Sequence, residues 1–109
     1  MNVEALIVEH LNQGGFKAYA DVPANRPAEF VTVERTGGAS DALDRPTVAV
    51  QSWASTRYAA SELAIKVDAC MKGIVMNTDV AKVSRNTLYN YPDESGHPRY
   101  QAVYDLVTY

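Results

Sequence analysis

The chain of 109 residues has one cysteine, Cys70, and two histidines, His10 and His97. A single cysteine excludes an intramolecular disulfide and a cysteine-rich metal site. Neither histidine is followed at i+3 or i+4 by a second ligand type, so metal-binding spacing is missing as well. Positive charge is not in excess. Lys and Arg number 10 against 13 Asp and Glu, a net charge of −3, which argues against a dedicated nucleic-acid binder with its basic face. No apolar run approaches the ~20 residues a membrane-spanning helix needs. The opening residues Met1 to Ala5 lack the basic and apolar regions of a secretion signal. The expectation is a soluble intracellular protein with no membrane partner. What is present is ordinary for a folded domain: 47% hydrophobic and 21% charged residues, enough for one domain with its own core.

Val3, Leu6, Ile7, His10 and Leu11 form one stripe of a helix, with Asn2 placed to cap it and Gly14-Gly15 to end it. Phe16 to Val22 reads as a short extended piece and Ala24 to Glu29 as a loop. Phe30 to Arg35 is β-branched and alternating, a strand that Gly37-Gly38 is expected to break. A long loop from Gly37 to Arg45 should follow, rich in small and acidic residues and therefore mobile in the free subunit. Pro46 then opens a second strand, Thr47 to Ala54, paired antiparallel with the first. Ser55 or Thr56 caps a helix from Arg57 to Lys72, with Ala60, Leu63, Ala64, Val67 and Met71 as its apolar stripe. Asp79 to Leu88 and Arg99 to Tyr109 complete the strands, with a turn-rich stretch from Tyr91 to Pro98 between them. Both faces of the last strand carry apolar or aromatic residues. The fold class expected is α+β: a mixed, mostly antiparallel sheet of four to five strands, with two helices packed on one face.

The residues offer little reaction chemistry. His10 lies on a helix stripe and reads as a packed or rim histidine. His97 reads as a solvated turn residue. Cys70 sits near a helix C-terminus, where the dipole disfavours a thiolate, and reads as a small buried hydrophobe. The glycine pairs match neither a dinucleotide nor a phosphate loop. Asp41 and Asp44 are a possible carboxylate pair, but no second acid or base converges on them from a rigid element. Seven tyrosines and one tryptophan are the notable supply. They suit either the core or a protein–protein interface, where such residues are enriched.

Three stretches in order carry a family resemblance. They are Pro27 to Gly38, Asp44 to Ala54 leading into the alanine-rich helix, and Tyr91-Pro92-Asp93 followed by Pro98-Arg99-Tyr100-Gln101 and a closing strand. Together they resemble the tail-terminator, or tail-completion, proteins of long non-contractile-tailed bacteriophages. The resemblance implies a structural virion protein without catalytic residues, cofactor or metal. It implies a homo-oligomeric ring, usually a hexamer, on the head-proximal end of the tail. Its partners would be the major tail tube protein below and a head-side connector protein above, with DNA passing through the lumen without specific binding. It places the interface or lumen loop at Gly37, Gly38, Asp41, Asp44 and Arg45, and it gives Trp53, at the end of the next strand, and Arg99, opening the last strand, interface or packing roles, with Tyr100 grouped with them. Another neck protein, for head closure or connection, is the nearest alternative. A small α+β ligand-binding module or enzyme is a second, motivated by the expected long loop, where sites often lie.

Overall fold

The structure, a computed structural model, describes residues 2–109. Helix α1 spans Val3–Gln13, and the Asn2 side chain caps it by accepting from the Ala5 N–H at 3.1 Å. Its buried residues Val3, Ile7 and Leu11 recur at helical spacing. After Gly14 the chain reverses through Gly15, whose φ of 96° favours glycine. Asn12 holds the next segment by bonding both the N–H and the C=O of Ala18. That segment supplies β1, only Ala18–Tyr19. The expected extended piece from Phe16 to Val22 is thus cut short.

Strands β2 (Phe30–Ser40) and β3 (Asp44–Trp53) form an antiparallel hairpin. Thr56 caps α2, Arg57–Lys72, through the Ala59 N–H. A 3-10 turn, Gly73–Met76, leads to β4, Val80–Asn90, and β5 spans Arg99–Thr108. The sheet order is β1-β2-β3-β5-β4, with every pair antiparallel except β1 and β2. This is the α+β class expected from the sequence, with five strands.

Both helices pack on one face of the sheet. Val3, Ile7, Leu11, Leu63, Val67 and Met71 from the helices meet Val31, Val33, Val48, Val50, Ala102, Tyr104 and Leu106 from the strands in one core. These strand residues alternate with those of the opposite face, as the two-residue period of a strand requires.

The expected long loop is not a loop. Pairing runs from Gly37↔Thr47 to Ser40↔Asp44, leaving only Asp41, Ala42 and Leu43 as the turn. Two glycines read as a break and the proline as the start of a new strand, but here they fit each other. Gly38 has a φ of 114° and lies opposite Pro46. A Cβ on Gly38 would collide with the Arg45 carbonyl oxygen and come within 2.7 Å of the Pro46 Cα. Glycine is therefore what lets the strands stay together here. The irregularity is a bulge between Arg35 and Gly37.

Candidate functional site

The helix-free face of the sheet carries a polar row that crosses it. Thr32, Gln51, Gln101 and Tyr89 are register partners on β2, β3, β5 and β4. The Thr32 hydroxyl donates to Gln51 Oε1 at 2.7 Å, and Gln51 Nε2 donates to Gln101 Oε1 at 2.7 Å. Gln101 in turn donates to the Tyr89 hydroxyl. Thr32 and Gln51 are buried, so each polar group needs the partner it has. The last strand carries half-buried Val103 and Val107 on this face beside polar residues. Its helix-free side is interrupted by Gln101 and Asp105, and Asp105 accepts from Thr47 at 2.9 Å and from Asn86.

At one end of this face the row meets an aromatic cluster. Trp53 is 4% exposed and donates its indole N–H to Thr32 Oγ1 at 2.9 Å. Phe30, its register partner, stacks on it with centroids 5.2 Å apart. The Arg99 guanidinium lies 4.9 Å from the Trp53 centroid and 4.8 Å from that of Tyr91, held between the two rings. Its Nε donates to the Tyr91 carbonyl at 2.7 Å. Arg26 approaches Trp53 from the 24–29 loop at 5.3 Å. These contacts fasten two loops to the sheet end and border a concave space of about 450 Å³ lined by Val22, Thr32, Gln51, Tyr91, Arg99 and Gln101. Trp53 and Arg99 are thus packed against one another at this end of the sheet. Tyr100 sits half-buried in the next row, opposite Ser52 and Asn90.

The opposite end of the sheet carries the turn residues. From Glu34 to Asp41 the chain is exposed. Asp44 pairs with Arg35 at 3.2 Å, and Arg45 with Asp41 at 3.4 Å. The Asp41 carboxyl is held below its ordinary range, first by the Leu43 N–H, which outweighs the opposing desolvation, and also by Arg45. Gly37, Gly38, Asp41, Asp44 and Arg45 are thus brought together as a paired strand end. Trp53 and Arg99 lie at the other end of the sheet, nine register steps along β3 from Asp44.

The residues that could act as nucleophile or base do not join this set. His10 Nε2 lies 2.7 Å from the Cys70 carbonyl oxygen and 3.6 Å from Cys70 Sγ. A nitrogen that donates to a carbonyl is not available as a base for the thiol. Burial pushes the Cys70 thiol pKa up, although Cys70 is half-buried rather than fully buried as expected. His97 is exposed and pairs with Asp93 at 2.8 Å. No group of three or more potential metal ligands occurs among the described residues.

One functional-looking cluster escaped the sequence reading. Asp68 on α2 is 6% exposed and accepts from the Tyr104 hydroxyl at 2.9 Å, with Arg85 and Lys72 each at 3.2 Å. Burial, then the bond to Asp68, raises the Tyr104 pKa well above the usual phenol range. This network ties α2 to β4 and β5. Its only local signal is an acid beside the apolar stripe of α2, four residues before Lys72.

No helix among the described residues is long and apolar enough to cross a membrane. No protein-family model matches the sequence, and no curated protein is significantly similar to it.

Proposed function

We propose that the chain is a phage tail terminator. Copies close into a ring, six in number, on the head-proximal end of the tail tube. The ring stops polymerisation of the major tail tube protein and seats the head-side connector protein, while DNA passes through its lumen without specific binding. The work is done by shape-complementary surfaces, with no reaction and no cofactor, and the protein resides in the virion.

The observation that carries this reading is the exposed outer half of β2 with its turn, from Glu34 to Asp41. These residues are held in a paired strand rather than left as free chain. An exposed segment already ordered on a rigid sheet loses little freedom when it docks, which favours a repeated contact. It lies where the family resemblance places the contact segment.

Disruption of the gene tests the proposal. Tails of uncontrolled length without heads are expected. Tails of normal length beside unjoined heads would instead assign the chain to head closure or connection.

A further inference from the structure

Two strand edges of this sheet lack partners. β4 is the last strand, 11 residues long, and nothing pairs with its outer side among the described residues. β1 covers β2 only at Val31 and Thr32. Beyond them the Arg35 N–H donates to Glu4 and the Arg35 Nε donates to the Gly37 carbonyl, and no strand covers the segment Gly37 to Ser40. We propose that β4 of one copy pairs antiparallel with the outer half of β2 of the next, so that the sheet continues from subunit to subunit. This rests on the reading of the chain as a ring former and names the contact that closes the ring.

Strand direction supports the pairing. β2, β3, β5 and β4 are antiparallel in succession, so β4 runs opposite to β2. Rotation about an axis along the strands keeps each strand's direction. It therefore sets β4 antiparallel to the neighbouring copy's β2, the more stable way to join two edges. The two edges are different surfaces of one chain. Such a head-to-tail contact closes into a ring when its rotation divides a full turn.

Height along the strands agrees. Ser40, Asp44, Thr108 and Val80 lie in one row, and Gly37, Thr47, Asp105 and Ser84 in another. A rotated copy thus brings Gly37 to Ser40 alongside the first half of β4. Each edge offers a regular stretch of four residues there, Gly37–Ser40 after the β2 bulge and Lys82–Arg85 between the two β4 bulges. Bulges break a ladder where they occur, so they limit the registers in which the edges can join. The stretch Gly37-Gly38-Ala39-Ser40 has only small side chains, which leaves the approach open. The rows also place Lys82, which is exposed and in no ion pair among the described residues. It lies one row in from Val80, as Ala39 lies one row in from Ser40, so it would come beside the small Ala39 of the neighbouring copy.

A lysine and bulges on an edge also guard against indiscriminate pairing. The contact proposed is therefore selective for an edge that carries small side chains and its own bulge.

Charge placed on the facing row tests the pairing, with light scattering for mass and hydrogen exchange for the edge. Ala39→Arg, which sets a second cation beside Lys82, is expected to weaken association about tenfold, and the double variant Ala39→Arg with Lys82→Glu to recover most of it. The Lys82–Arg85 amides should be protected in the oligomer and exchange freely on dilution to monomer. An oligomer whose mass ignores Ala39→Arg, or whose β4 amides stay unprotected, overturns the pairing and leaves the ring standing. A chain monomeric at every concentration overturns the pairing too. The tail-length phenotype then decides the terminator reading by itself.

Discussion

The two halves of β2 differ although they belong to one strand. Phe30, Val31, Thr32 and Val33 are buried, whereas all seven residues from Glu34 to Ser40 are exposed. The first half is held by the core, the Trp53 stack and the Thr32 bonds. The second is held by its ladder to β3, by surface ion pairs and by the fit of Gly38 against Pro46. Burial stabilises a strand by roughly 25 cal/mol per Å² of apolar surface, while a surface ion pair contributes about 0–1 kcal/mol. The inner half therefore belongs to the fold, and the outer half is free to serve contact with a partner.

Substitutions can break that comparison. Trp53→Ala should destabilise most, by about 3–5 kcal/mol, since it removes a buried ring and leaves Thr32 without its donor. Denaturant unfolding would measure it. Gly38→Ala is the expected exception in the exposed half. Its positive φ and the facing Arg45 carbonyl should cost about 1–3 kcal/mol, and a loss near zero would mean that the strand end is not paired as described. Alkaline pH sharpens the contrast from the buried side. Tyr104 keeps its proton in the folded state well above the phenol pKa of ~10, whereas the unfolded chain ionises there. The folded state thus binds more protons, its advantage is complete below that pH, and stability should fall as pH rises beyond it. Tyr104→Phe should flatten the fall in an unfolding series across that range. Asp44→Ala should have the smallest effect on stability, under about 0.5 kcal/mol, because its partner Arg35 is well solvated. Unchanged melting with altered assembly is the expected result.

Much of the fold was legible because periodicity reports burial directly. The α1 and α2 stripes, their caps at Asn2 and Thr56, and the antiparallel pairing of β2 with β3 all follow from local patterns. The hairpin end was misread because Gly37 and Gly38 signal a break, and Pro46 the start of a new strand, when taken alone. Only cross-strand pairing shows that a missing side chain on one strand accommodates the proline of the other. Asp68 was missed for a related reason. Its partners Tyr104 and Arg85 are 36 and 17 residues away, so no local pattern could connect them. The aromatic residues were flagged without their places. That Trp53, Phe30, Arg99 and Tyr91 form one stack depends on the strand order, which puts β3 beside β5.

The proposed function requires the chain to close on copies of itself. The solution mass of the purified protein, by light scattering over a wide concentration range, tests this first. One discrete closed oligomer is expected, six times the mass of the chain, that persists until dilution returns the monomer. A mass that stays at one chain throughout, or grows without limit, would contradict it.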